Sequence, residues 1–249
     1  MRPDGSARPG KQAYVESIFD RIAPHYDRMN RLMTMGVWSY WQRSFRRLAG
    51  IRPGDRVLDV GCGTAELSFL AAREAGPGGR VTGVDIAEGM LQICRQKLLD
   101  HPMADRLEFL RADAQALPFP DASFDVVVSG FMLRNVASLD RALVEMVRVL
   151  RPGGRLAVME LTHPPSRWVA APYLAYFRHV VPWLGRWAAR EGDPLPPYAW
   201  LPESLREIPS APELAQRMER AGLNRVAYRY LTAGIVAIHT GLKPGRSER

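Results

Sequence analysis

Only two cysteines, Cys62 and Cys94, occur in the 249 residues. Two thiols cannot build a disulfide scaffold, and no C-x-x-C pair or Cys/His cluster marks a structural metal site, so no metal is expected. No apolar run reaches the roughly 18 residues of a membrane-spanning helix. The opening residues 1–12 lack the apolar core of a secretory signal. Internal repeats and low-complexity stretches are also missing. A hydrophobic fraction of 47% beside 24% charged residues excludes wholesale disorder. The chain reads as a cytoplasmic protein with room for one large domain or two small ones.

Acidic groups are the scarcer charge, 26 against 34 Lys and Arg, which leaves a net charge of +8. The excess is uneven: residues 1–50 carry +5, residues 51–150 carry −3 and residues 151–249 carry +6. Basic flanks suit nucleic acid and an anionic membrane equally, so net charge does not choose between them.

What is present is a change of period along the chain. Residues 1–12 read as a polar, flexible tail. Val15, Ile18, Phe19 and Ile22 keep helical spacing up to Pro24, and Trp38, Trp41, Phe45 and Leu48 mark a second helix. Short apolar strands follow at 56–60, 80–85, 107–111, 124–129 and 155–160, separated by helices over about 64–75, 88–99 and a stripe from Leu139 to Leu150. Strands that are apolar throughout and alternate with helices predict a parallel sheet covered on both faces. Farther on, spacing predicts a helix over 173–187 kinked at Pro182, a Pro-rich loop over 191–202, a helix over 212–221 and strands over 225–230 and 235–240.

The first strand runs into Asp59-Val60-Gly61-Cys62-Gly63-Thr64-Ala65-Glu66, and the second ends in Asp85. Glycines there permit a tight turn and close ligand approach, and a strand-end carboxylate accepts both ribose hydroxyls. Glu66 stands where a dinucleotide fingerprint has a small residue, and its carboxylate would repel a pyrophosphate. S-adenosylmethionine carries a sulfonium, an ammonium and no phosphate, so an acidic pocket with Asp59 and Glu66 suits it. Asp113-Ala114, after the third strand, is placed to meet the adenine amine. The plainer reading is a glycine turn whose carboxylates only cap helices.

With these motifs the chain resembles the class I methyltransferases, and within them the ubiquinone/menaquinone biosynthesis C-methyltransferase family. The resemblance runs from about residue 14 to 244 and is carried most specifically by FDRIAPHYDRMN at 19–30, FMLRNV at 131–136 and LTAGIVAIH at 231–239. It implies a Rossmann-like α/β fold: a mostly parallel seven-stranded sheet with helices on both faces, N-terminal helices, and a helical insertion forming a substrate cover. The implied division is a single domain over 13–249, with a cap at 13–50, a cofactor-binding core at 51–161, an insertion at 162–209 and a C-terminal part at 210–249. It also implies methyl transfer from S-adenosylmethionine to a ring carbon of a polyprenylated quinol. The matching cofactor contacts are Thr64, Asp85, Asp113 and Ala114, beside Asp59, Gly61 and Gly63 of the glycine turn. Two departures stand out: Gly130 replaces the family's Ser and Met132 its Gly.

A neutral aromatic carbon is a poor nucleophile until a neighbouring hydroxyl loses its proton, so the site needs a group that takes the proton or stabilises a phenolate. Arg134 and Asn135 follow the fourth strand, at the ligand-binding end of such sheets. Arg134 is expected to hold the phenolate, Asn135 to fix the quinol oxygen and Tyr26 to close over the ring; His25 is a weaker candidate base. In the alternative reading Arg134 pairs with a helix-end carboxylate and Asn135 caps the helix after Val136. The expected acceptor is demethylmenaquinol. Expected partners are the quinol, a second copy of the chain and the inner face of an anionic membrane, met through the aromatic and basic stripe at 173–187. A small-molecule O- or N-methyltransferase, a silent binding protein and an RNA methyltransferase are the rival readings. The RNA reading lacks an Asn/Asp-Pro-Pro-aromatic loop and a late cysteine.

Overall fold

In the computed structural model, described for residues 10–34, 36–180 and 208–245, seven strands form one sheet. They are β1 (Arg56–Val60), β2 (Arg80–Asp85), β3 (Leu107–Arg111), β4 (Phe124–Gly130), β5 (Leu150–Leu161), β6 (Asn224–Leu231) and β7 (Val236–Leu242). Their order is β3-β2-β1-β4-β5-β7-β6. The first five are parallel, and β7 runs antiparallel to both β5 and β6. The chain moves outward through β1, β2 and β3, then returns to place β4 on the other side of β1. That reversal opens a crevice at the carboxyl ends of β1 and β4, where ligands bind in open α/β sheets.

Both faces are buried because the central strands are apolar on both sides. Val57 and Val126 face one core, and Leu58 and Val127 face the other, with the period of two that a pleated strand imposes. The first core is closed by α3 (Trp38–Ala49), α4 (Glu66–Ala75) and α5 (Glu88–Leu98). The second is closed by α6 (Leu139–Val149) and α8 (Ala211–Arg220). In α6 the predicted stripe is buried, including Leu143 and Met146, and Ser138 caps the helix by accepting from Arg141 N. A smaller cluster of Ile22, Met29 and Met90 ties α1 (Lys11–Ile22) and α2 (Tyr26–Met33) to α5.

Several boundaries differ from the sequence reading. The first helix begins at Lys11, and Pro24 sits in a 3-10 turn (Ala23–His25) that redirects the chain into α2. The sequence reading does not separate α2, a short amphipathic helix whose one buried residue is Met29. The Arg-Pro-Gly-Gly turn at 151–154 is absorbed into β5 as an irregularity: Phe124 pairs with Leu150, and the next pair is Val126 with Arg155. The helix expected at 173–187 starts earlier, as α7 (Arg167–Ala175), and continues as a π-helical turn (Tyr176–Val180). The kink at Pro182, the rest of that stripe and the Pro-rich loop lie outside the described residues. Among the described residues no helix is long and apolar enough to cross a membrane.

Candidate active site

At the carboxyl ends of β1 to β4 lies a cavity of about 690 Å³. Its floor is the turn after β1. Gly61 N and Cys62 N donate to Val84 O, which pins the turn to β2. Gly63 N donates to Asp85 Oδ2 at 2.9 Å and Ala87 N to Oδ1 at 3.0 Å. Burial pushes the Asp85 carboxyl up, and the backbone N–H groups around it pull it back down. Asp113 and Ala114 form the far wall, and Val15 and Phe19 of α1 form the roof. Asp113 accepts from Gln115 N at 2.9 Å and from the Gln12 amide of α1 at 3.0 Å.

Gly61, Gly63, Asp85, Asp113 and Ala114 therefore line the cavity as expected, whereas Asp59 and Thr64 do not. Asp59 lies fully buried beneath the turn, where Ser68 Oγ donates to it at 2.6 Å and burial raises it to about 7. Thr64 faces α2 instead, donating to Asp27 Oδ1 at 2.5 Å. Lys97 joins the same knot through Asp27 Oδ2 and Thr64 O, both at 2.7 Å. Glu66 also points away, accepting from Gln42 at 3.1 Å. Asp59, Thr64 and Glu66 thus each bond a protein partner beside the turn.

The two departures near β4 have visible neighbours. A Cβ on Gly61 would stand 2.2 Å from Met132 Cγ, so Met132 occupies the face of Gly61 that a ligand was expected to approach. A Cβ on Gly130 would stand 2.6 Å from Leu67 Cδ1, so Leu67 fills the space of the missing Ser. Gly63 stays open, its nearest neighbour being Tyr26 Cε1 at 3.8 Å.

A second cavity of about 1270 Å³ adjoins the first and shares Phe19, Tyr26 and Phe131 with it. Seven of its sixteen described lining residues are aromatic: Trp38 and Trp41 of α3, Tyr173 and Tyr176, and the three shared rings. Trp41 Nε1 donates to Thr232 Oγ1 at 2.7 Å, and the Tyr176 hydroxyl donates to Met33 O at 3.0 Å, so both rings are held by their polar ends. Tyr26 stands at the junction, edge-on to Phe19 with ring centres 6.1 Å apart. Burial pushes its hydroxyl up, and a hydrogen bond with Asn30 acts the other way.

Arg134 is the charged residue in this second wall, and Nη1 donates to the buried Glu160 Oε1 at 2.6 Å. Arg134 therefore lines the chamber and is already paired, with a carboxylate of β5 and not with one at a helix end. Asn135 lies elsewhere. It lines the first cavity, not the second, with its amide donating to Phe131 O at 3.2 Å and its buried Oδ1 without a hydrogen-bond partner. Asn135 thus stands on the cofactor side of the shared wall rather than in the chamber. His25 is exposed and lines neither cavity.

The first cavity fits a cationic adenosine compound: two carboxylates, an unpaired amide oxygen and no Lys or Arg among its described lining residues. The second fits a flat apolar ring with a tail. Sequence reasoning missed Gln12, Asp27, Lys97 and Glu160, because each acts through a partner distant in the chain and no local pattern marks it. Asp27 stood inside the 19–30 motif, which was the available signal.

Residues 8–243 match the family model described as the ubiE/COQ5 methyltransferase family. A ubiquinone/menaquinone biosynthesis C-methyltransferase UbiE from Hahella chejuensis is 45% identical over 94% of this chain and 92% of its own. A demethylmenaquinone methyltransferase from Symbiobacterium thermophilum is 40% identical over 94% of each. Among solved structures, the [4+2]-cyclase SpnF superposes with a TM-score of 0.69 at 20% identity, covering 96% of this chain and 98% of its own. A SAM-dependent methyltransferase from Aquifex aeolicus gives 0.58 at 21% identity, covering 87% and 97%. At such identities these two likenesses speak for the fold alone.

Proposed function

The chain belongs to the ubiE/COQ5 methyltransferase family, and on that premise we propose that it methylates a ring carbon of a polyprenylated quinol, with demethylmenaquinol as the acceptor. Its methyl donor is S-adenosylmethionine. The observation that carries the acceptor reading is the aromatic chamber of about 1270 Å³ sharing a wall with the cofactor cavity.

When bound, the cofactor supplies a methyl group that bonds to the ring carbon as the carbon–sulfur bond breaks and its electron pair passes to sulfur. The residues of the chain position and select. Asp85 receives the ribose hydroxyls, and Asp113 with Ala114 reads the adenine amine. Asn135 Oδ1 accepts from the cofactor's ammonium side. Tyr26 and Phe131 fix the plane in which the ring meets the methyl group, and such positioning is worth several kcal/mol, about 7–11 in ideal cases. Arg134 turns an N–H toward the acceptor oxygen while Glu160 holds its other edge. The ring proton leaves to solvent once the new bond has formed.

The acceptor's tail calls for an apolar exit. On α7, which carries Tyr173 of the chamber, Trp168 is 79% exposed and Leu174 53% exposed. Arg167 stacks over the Trp168 ring at 5.4 Å. An exposed aromatic beside an arginine suits the interface of an anionic bilayer, so this helix is our docking face. Flotation with anionic vesicles tests it: Trp168→Ala should lower binding severalfold, and binding indifferent to lipid charge would reject it.

The function itself is tested with labelled S-adenosylmethionine against naphthoquinols and benzoquinols under reducing conditions. Transfer to the ring carbon of a naphthoquinol is expected. Transfer only to hydroxyls or amines of small molecules would replace the reading.

A further inference from the structure

Arg134 is the cation in the chamber wall, and Glu160 cancels it. Glu160 is 1% exposed and Arg134 8%. Glu160 Oε1 accepts from Arg134 Nη1 at 2.6 Å and from Leu161 N at 2.9 Å, and Oε2 accepts from Arg134 N at 3.4 Å. The carboxylate thus grips both the guanidinium and the backbone that carries it. A buried ion pair is often no more stabilising than apolar residues of the same size, so stability alone is a weak reason for one at a ligand wall.

The pair changes the electrostatics of any hydroxyl placed beside it. Such a group faces Arg134 with Glu160 behind it, Tyr26 from α2, Tyr173 from α7 and Tyr176 from the turn that follows. Burial pushes all three phenols up, so they stay neutral. Across the shared wall stands Asp85. Within the chamber lining, the charge of Arg134 is balanced by Glu160; just outside it stand Asp85, the paired Asp27 and Lys97, and Lys11, whose Nζ donates to Arg134 O at 3.1 Å. A phenolate therefore gains little net attraction from the lining itself, and a cation in the adjoining cavity, beside Asp85 and Asp113, is the charge that comes and goes.

We propose that Glu160 is a positioning residue that keeps Arg134 charge-compensated, so that the acceptor hydroxyl releases its proton to solvent only while a cation fills the cofactor cavity. The acceptor then remains a neutral quinol whenever the methyl donor is absent. Because a quinol anion gives up electrons to oxygen far more readily than the neutral quinol, the arrangement also shields the acceptor between turnovers. This rests on the C-methyltransferase reading above.

The test is a titration of a bound naphthol whose ring positions beside the hydroxyl carry methyl groups, followed by the absorbance of its anion. It is run on the full chain with S-adenosylmethionine and with the uncharged S-adenosylhomocysteine. The ionisation constant should be about tenfold larger with the cationic nucleoside. In Glu160→Gln both constants should rise about tenfold, so that the naphthol ionises beside S-adenosylhomocysteine as readily as it does beside S-adenosylmethionine in the native chain, and in Glu160→Asp, which keeps the charge, they should stay at the native values. Equal constants with the two nucleosides in the native chain would overturn the proposal, and so would unmoved constants in Glu160→Gln. A second measurement needs no probe: the acid limb of kcat/KM for quinol methylation should move down by about one pH unit in Glu160→Gln, and an unmoved limb would also overturn it. A native gap without methyl transfer to any quinol would reject the function and leave the charge coupling standing.

Discussion

The two cavities are neighbours built on opposite plans. The cofactor cavity takes its polar groups from the ends of consecutive strands, so the sheet itself fixes Asp85 and Asp113 to within a hydrogen bond of the backbone. The acceptor chamber takes its rings from α1, α2, α3, α7 and the π-helical turn after α7, which reach it from outside the sheet, and from Phe131, which follows β4. Both are walled mainly by apolar surface, but the polar groups of the first are held by main-chain hydrogen bonds, whereas the second is built from side-chain rings held by packing with a few anchoring donors. A rigid cofactor seat can thus be kept while the acceptor wall is redrawn by changing helices, which is consistent with many chemistries sharing this fold.

Substitutions can break that comparison, beginning with the largest effect. Arg134→Ala should lower turnover by about 100-fold or more while leaving the affinity for S-adenosylmethionine within a few fold. It should also cost about 3–5 kcal/mol of stability, because Glu160 is left buried without its partner. Calorimetric binding and a melting curve measure the two parts. Cofactor affinity falling in step with turnover would erase the division between the cavities.

A reference point lies outside both. His239 is buried in β7, its Nε2 2.9 Å from Ala211 O, and burial pulls it down to about 4 from 6.5. The folded state therefore favours the neutral ring, and this stability is present above pH 6.5 and lost as pH falls toward 4. The loss is about 3 kcal/mol at the acid end. Asp59 runs the opposite way, since a raised carboxyl favours the folded state below its unfolded value and loses that advantage as pH rises through about 7. Acid titration of stability should show the His239 slope, and His239→Gln should flatten it. Because one sheet underlies both cavities, both binding activities should vanish together in acid.

Next comes Asp85→Ala, expected to weaken cofactor binding by about 100-fold through two lost charged hydrogen bonds. Affinity for an apolar quinol analogue should change less than twofold. The smallest effect is expected at the knot between α2 and the glycine turn. Thr64→Val removes the hydrogen bond to Asp27 and should cost about 1 kcal/mol, seen as a slightly lower melting temperature. A loss of cofactor affinity larger than tenfold there would mean that Thr64 touches the ligand after all.

Much of the cofactor side was legible in the sequence for a physical reason. Apolar strands, glycine turns and strand-end acids are local patterns, and a parallel sheet brings successive strand ends to one edge. Those patterns point to Asp85, Asp113 and the glycines, all of which line the cavity. Asp59 and Thr64 do not, because a loop residue's direction depends on partners such as Ser68 and Asp27 that spacing cannot name. The acceptor side was legible only as composition. Trp38 and Trp41 were read as one helix stripe, correctly, but nothing local shows that Phe131 packs 5.8 Å from Trp41. Arg134 was found by its place after β4, whereas its charge balance depends on Glu160, 26 residues away.

The hydrogen bond from Gln12 to Asp113 has a consequence for the first helix. If Asp113 reads the adenine amine as proposed, then a side-chain amide and a nucleobase compete for one acceptor oxygen. Ligands usually quiet the segments that cover them. Here the arriving base evicts the side chain that anchors the first turn of α1, so backbone amides near Gln12 should exchange with deuterium faster in the complex than in the free chain. Helix α1 would then behave as a reporter that loosens when its cavity fills.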